Sequence, residues 1–142
     1  MTATSNTTTT TARAVGAGSP SADLAPLQIE RRALGASDVR IDIKFCGICH
    51  SDIHFARGEW GDIPYPAIPG HEIAGVVAAV GADVTGFAVG DRVGVGCMVN
   101  SCRECENCRA GNEQYCIRGN TQTYGSVDRD LLALPGVPVA QR

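Results

Sequence analysis

Alternation of apolar and polar residues predicts several short strands. Val39–Phe45 alternates without a break, the period of two that is typical of a half-buried strand. The β-branched run Ile73–Val80 predicts a second strand, in which Gly75 indicates a bulge or a close approach of another backbone. Leu27–Glu30 and Arg92–Gly96 predict two shorter strands. We therefore expect a mainly β fold.

The segments between these strands contain little helical pattern. Pro64, Pro66 and Pro69 exclude a helix and predict an extended loop that leads into the strand beginning near His71. The best helical candidate is one turn near residues 105–110. Short strands separated by glycine turns are typical of a small barrel or sandwich.

Composition narrows the class of protein. The chain has 142 residues, 44% hydrophobic and 19% charged, as expected for one globular domain. A net charge of −3 without a basic stripe argues against a nucleic-acid partner, and no apolar run reaches the length of a membrane span. Residues 1–12 are threonine-rich, do not resemble a secretory signal, and are predicted to be a disordered tail. We expect a cytoplasmic location.

Four cysteines form the densest chemical motif of the chain. They follow the spacing C-x2-C-x2-C-x7-C, at Cys102, Cys105, Cys108 and Cys116. Such thiols either hold a tetrahedral metal or pair as disulfides. Because seven cysteines is an odd number and no secretion signal is visible, the metal is favoured. Four cysteines leave no open coordination position, so we interpret this lobe as a structural zinc site.

A second group of candidate ligands lies upstream. All three histidines of the chain occur at His50, His54 and His71, close to predicted strand ends. Cys49 and His71 offer a sulfur and a nitrogen, which suit a catalytic zinc, although such a site needs three protein ligands. Of the two remaining thiols, Cys46 is expected to be buried and Cys97 to serve packing.

Taken in order, the motifs resemble one family. They are Cys46-Gly47-Ile48-Cys49-His50-Ser51-Asp52, Pro69-Gly70-His71-Glu72 with Gly75, Gly90-Asp91-Arg92-Val93 and the four-cysteine lobe. From about Val39 to Tyr124 the chain resembles the zinc-dependent medium-chain alcohol dehydrogenases, and among them the cinnamyl-alcohol-dehydrogenase-like branch. The resemblance implies a GroES-like β-barrel with the zinc-binding lobe.

The resemblance also implies roles for single residues. Cys49 and His71 would bind the catalytic zinc, Glu72 would be an exchangeable ligand, and Asp52 would orient His71. The four lobe cysteines would hold the structural zinc.

The remaining implied roles concern the reaction. Ser51 would accept the proton of the alcohol, and His54 would pass that proton to solvent. His50 would approach the pyrophosphate of NADP or NAD, and Trp60 would line the substrate pocket. The implied reaction interconverts primary alcohols and aldehydes, with these small molecules as the partners.

The resemblance is incomplete. No Gly-x-Gly-x-x-Gly follows a strand, so the Rossmann domain is expected to be absent from this chain, and the family's third catalytic ligand is not found. We interpret residues 13–130 as an incomplete GroES-like catalytic domain and residues 131–142 as a divergent tail read in a shifted frame. The 142 residues alone are expected to be inactive. The alternative is a small structural zinc-binding module without catalysis.

Overall fold

A computed structural model describes residues 9–126 and consists mainly of short strands. Within that range there are seven β-strands, two short α-helices and one 3-10 helix. The strands are β1 Thr10–Ala17, β2 Leu24–Arg31, β3 Val39–Gly47, β4 Glu72–Val80, β5 Arg92–Val95, β6 Met98–Asn100 and β7 Thr121–Gln122. The helices are α1 His50–Arg57 and α2 Glu106–Arg109, and the 3-10 helix is Glu113–Tyr115. The predicted mainly β fold is confirmed.

Three antiparallel sheets organise the described residues. β1 pairs with β2, β3 with β4 and β4 with β5, while β6 pairs with β7. A bridge between Ala17 and Ala67, with two backbone hydrogen bonds of 2.9 Å, ties the proline-rich loop to the end of β1. The four strands predicted from alternation and β-branching are all present, each within a few residues of its predicted limits.

Gly75 lies where two backbones approach closely, as predicted. A Cβ at this position would lie 2.5 Å from the Ile41 Cγ2 and 2.6 Å from the Asp42 carbonyl oxygen. The ladder between β3 and β4 also shifts register between Ile43 and Phe45, opposite this glycine. The absence of a side chain therefore lets β3 bend over β4.

The buried apolar residues of the described range are few, and they are spread over helix α1, two strands, the proline-rich loop and the four-cysteine lobe. Phe55 and Ala56 of helix α1 are buried, as are Ala17 of β1, Ala67 of the loop and Val77 of β4. Several large apolar side chains stay exposed, of which Phe45 at 76% is the extreme. No helix in the described range is long and apolar enough to cross a membrane.

Three sequence expectations need correction. Strand β1 begins at Thr10, so the predicted tail over residues 1–12 includes residues that pair with β2. Helix α1 was not predicted, because its eight residues are too short to show an apolar period, whereas the turn near residues 105–110 appears as α2. Cys46 and Cys97 are exposed rather than packed. The tail over residues 131–142 lies outside the described residues.

We expect Gly75→Ala to destabilise the protein by about 1–3 kcal/mol, because the new methyl group meets backbone that cannot move aside cheaply. Urea unfolding followed by circular dichroism would measure this change. Gly86→Ala is the matched control, since a Cβ there meets nothing within 4 Å. Equal stability of the two variants would contradict the close approach.

Candidate metal centres

The four lobe cysteines converge on one point. Their sulfur atoms all lie within 4.8 Å of one another, with Cys102–Cys108 at 3.8 Å and Cys105–Cys108 at 3.4 Å. A tetrahedral Zn²⁺ with Zn–S bonds of about 2.3 Å requires sulfur atoms about 3.8 Å apart. The donor set and its spacing therefore fit zinc. The seven cysteines are all free, so the disulfide alternative is not adopted.

Backbone amides surround these sulfurs. The amide of Cys102 donates to the Cys116 Sγ and the amide of Cys105 to the Cys102 Sγ, each at 3.4 Å. Between these cysteines, Arg103 adopts a left-handed backbone conformation with φ of 58°, which makes a tight turn. Hydrogen bonds from backbone amides lower the pKa of Cys102, Cys105 and Cys116. The lobe is thus shaped to hold thiolates.

The fourth thiol behaves differently. A hydrogen bond with the Ser101 hydroxyl lowers the pKa of Cys108, but burial and the neighbouring Cys105 outweigh it and raise that pKa to about 11. Without a cation, a fourth thiolate in this group is repelled by the negative charges of the other three. A divalent cation would remove that penalty, which is the electrostatic reason to expect one here.

The second cluster is assembled by the fold rather than by sequence proximity. β3 and β4 pair so that Gly47 lies opposite Glu72, which places the residues after β3 beside those before β4. Cys49 then caps helix α1, and its Sγ lies 3.5 Å from the Nε2 of the buried His71. A sulfur and a nitrogen bound to one tetrahedral zinc are about 3.6 Å apart.

Asp52 fixes the orientation of His71. Its carboxylate is buried and accepts hydrogen bonds from the Gly70 amide at 2.7 Å, the His71 Nδ1 at 3.1 Å and the Cys49 amide at 2.9 Å. Since a carboxylate accepts only, Nδ1 carries the proton and the Nε2 lone pair faces Cys49. Cys49, Asp52 and His71 form the second metal-compatible group.

The other predicted residues lie around this cluster. Ser51 donates its amide to the Cys49 Sγ at 3.3 Å, and His50 is exposed at the start of the helix. The His54 ring lies between those of His50, at 4.6 Å, and Trp60, at 5.4 Å. Glu72 opens β4 and is exposed, and its carboxylate is not among the grouped ligand atoms.

Sequence reasoning missed Glu59. Gly58 ends helix α1 in a left-handed conformation with φ of 67°, and the Glu59 amide donates to the His54 carbonyl at 3.0 Å. The reversal brings the Glu59 carboxylate onto the His54 Nδ1. A glycine directly after Arg57 is a helix stop signal, so the sequence did contain a hint.

Sequence reasoning also missed Tyr124. Its ring centroid lies 5.1 Å from that of His71 and 4.5 Å from that of Phe55. No motif spacing indicates this contact, since the residue is 53 positions from His71 along the chain.

A cavity of about 210 Å³ opens beside these rings. It is lined by His54, Phe55, Trp60, Ile63, Gln122 and Tyr124, among others. Its walls are mainly apolar and aromatic, with few polar groups. Trp60 lines this cavity, and its role in a substrate pocket stays a prediction.

Comparisons with known proteins identify the family of the chain. The family described as "Alcohol dehydrogenase GroES-like domain" matches residues 35–137. The NADP-dependent alcohol dehydrogenase C 1 of Mycolicibacterium smegmatis is 58% identical over 121 residues, which are 84% of this chain and 35% of that protein. Cinnamyl alcohol dehydrogenase 7 of Oryza sativa subsp. japonica is 53% identical over 122 residues, 84% of this chain and 32% of that protein.

A solved structure is similar as well. The CAD from Helicobacter pylori complexed with NADP(H) superposes with a TM-score of 0.81 at 45% identity, covering 85% of this chain and 35% of that one. The chain therefore belongs to the GroES-like domain family of alcohol dehydrogenases, and the resemblance stated from its motifs is confirmed. It spans about a third of the length of the relatives it matches.

We expect the purified chain to hold about one zinc firmly and Cys105→Ser to lose it, because three thiolates no longer close the tetrahedron. Inductively coupled plasma mass spectrometry would measure zinc per chain. Cys46→Ser is the control, since that exposed thiol lies outside both clusters. Full zinc content in Cys105→Ser would refute the assignment.

Proposed function

We propose that this chain forms the metal-holding part of a zinc-dependent alcohol dehydrogenase that interconverts primary alcohols and aldehydes with NADP or NAD. The observation that carries the proposal is the 3.5 Å approach of the Cys49 Sγ to the His71 Nε2, with Asp52 on the opposite ring nitrogen. The names of the relatives, an NADP-dependent alcohol dehydrogenase and a cinnamyl alcohol dehydrogenase, support the reaction class.

In this proposal the second cluster holds the catalytic zinc. Cys49 and His71 bind it, Asp52 orients His71, and Glu72 is an exchangeable ligand. The bound zinc supplies Lewis acidity, which lowers the pKa of an alcohol at the site. The Asp52 carboxylate already accepts three hydrogen bonds within the protein, so the Cys49 Sγ and the His71 Nε2 are the two ligand atoms that the cluster offers first.

Ser51 and His54 move the proton. They are three residues apart on α1 and therefore share one face of the helix. Glu59 accepts from the His54 Nδ1, which leaves the Nε2 of His54 as the proton acceptor. His54 is partly exposed, with 35% of its side chain accessible, so the proton can continue to solvent.

The remaining site residues bind the reactants. The exposed His50, on the helix turn beside His54, contacts the cofactor pyrophosphate in this proposal. Trp60 and the cavity beside it bind the alcohol or aldehyde. The four-cysteine lobe holds structural zinc and takes no part in the chemistry, because all four positions of its metal are filled by protein.

A second candidate is a zinc-binding module without catalysis. The difference between the two clusters favours this module for the 142 residues alone. The lobe presents four sulfurs, whereas the second cluster presents one sulfur, one nitrogen and a carboxylate that already accepts hydrogen bonds.

The predicted cytoplasmic location stays a prediction.

Cobalt tests the second cluster. With zinc already in the lobe, added Co²⁺ should give a thiolate-to-cobalt absorption band that Cys49→Ser abolishes, and Asp52→Asn should weaken Co²⁺ binding about 10–100-fold. Cys97→Ser is the control, since this thiol lies outside both groups. A band that survives Cys49→Ser would count against the proposal.

A chimera tests the reaction. If residues 9–126 replace the corresponding stretch of the M. smegmatis relative, the chimera should reduce aldehydes with NADPH, and Ser51→Ala should lower kcat about 10²–10⁴-fold through loss of proton transfer. Steady-state assays would measure this, with the exposed Ser37→Ala as control. The 142 residues alone should show no NADPH oxidation; turnover by them, or an unchanged kcat in Ser51→Ala, would contradict the assignment.

A further inference from the structure

The Tyr124 ring occupies the space between helix α1 and His71. Its centroid lies 4.5 Å from that of the buried Phe55, at an interplanar angle of 45°, and 5.1 Å from that of His71, at 54°. Tilted aromatic pairs at such separations attract each other beyond the burial of their area. Tyr124 is therefore in direct packing contact with the imidazole of the second cluster.

The Tyr124 ring adds a third contact to the two that hold the ring nitrogens of His71. Asp52 holds its Nδ1 and Cys49 faces its Nε2, and both of these contacts are made at ring nitrogens, in directions close to the ring plane. Neither packs on a face of the imidazole. The tilted ring of Tyr124 supplies a packing contact that limits rocking of His71 out of that plane.

Tyr124 is itself held from the side of the four-cysteine lobe. β6 precedes the lobe and β7 follows it, and these two strands pair. Just beyond β7, the buried Thr123 donates its amide to the Cys97 carbonyl at 3.0 Å and its hydroxyl to the Gly96 carbonyl. Tyr124 is the next residue, so its backbone is anchored at the neck of the lobe.

The residue that follows fixes the ring further. Gly125 has φ of 68°, and a Cβ there would lie 2.5 Å from the Phe55 ring. The chain therefore turns tightly against Phe55 immediately after Tyr124. Burial raises the pKa of Tyr124 to about 12, aided by the charges of Asp52, Cys49 and Cys97, so the phenol stays neutral beside the cluster at neutral pH.

We propose that Tyr124 is a positioning residue, whose ring holds the His71 imidazole in the orientation that points Nε2 at Cys49. The ring rather than the hydroxyl does this, since the observed contacts are the tilted ring pairs with His71 and Phe55. Only the metal-binding test below rests on the proposed function; the orientation of His71 can be measured without a metal at that cluster.

The first experiment uses the full chain with one zinc in the lobe. Long-range ¹H–¹⁵N spectra, with His71 assigned through His71→Gln, should show a single Nδ1-protonated imidazole in the wild type. Tyr124→Ala should broaden or average these signals, whereas Tyr124→Phe should retain them. Tyr115→Ala is the matched control, because that tyrosine is 69% exposed on the lobe. Wild-type His71 signals in Tyr124→Ala, or equal loss in Tyr124→Phe, would overturn the proposal.

The second experiment measures Co²⁺ affinity at the second cluster of the same zinc-loaded chain. Tyr124→Ala should weaken it about three- to tenfold, the size of an aromatic pair, with Tyr124→Phe and Tyr115→Ala unchanged. An unchanged affinity in Tyr124→Ala overturns the positioning role. If the wild type gives no thiolate-to-cobalt band that depends on Cys49, the assignment of a metal to the second cluster fails instead. The His71 spectra alone then decide the role of Tyr124. Zinc content and far-ultraviolet circular dichroism identify any variant that has lost its fold.

Discussion

The buried carboxylate of Asp52 joins three parts of the chain that would otherwise be independent. Its oxygens accept from the amide that starts helix α1, from the Gly70 amide in the proline-rich loop and from the imidazole of His71. A carboxylate removed from water is costly unless such donors surround it, and each hydrogen bond to a charged group contributes about 1.5–3 kcal/mol. The helix, the loop and the histidine therefore have to assemble together around this one group.

The two metal-compatible clusters differ in how they are encoded. The lobe cysteines are close in sequence, and amides of the same short segment surround their sulfurs, so local spacing is sufficient to predict them. Cys49 and His71 meet only because β3 and β4 pair in the observed register. The first cluster can be derived from a motif, while the second requires a sheet and a buried carboxylate.

The same distinction explains which predictions succeeded. Alternation predicted β3, and β-branching with an internal glycine predicted β4 and its close approach, because both depend on residues within one strand. Helix α1 was not predicted, because it is defined by the capping box of Cys49 and Asp52 and not by an apolar period. The contact of Tyr124 with His71 depends on where the lobe returns to the sheet, a tertiary fact that no single-strand pattern contains.

The left-handed cap at Gly58 has a consequence for how this segment tolerates change in length. The carboxylate of Glu59 reaches His54 because one helical turn and one reversed residue separate them. An insertion or deletion of a single residue here would rotate the carboxylate away by roughly a quarter of a turn or more. The spacing between His54 and Glu59 is thus strictly constrained, so natural variation in this stretch should consist of substitutions and not of changes in length.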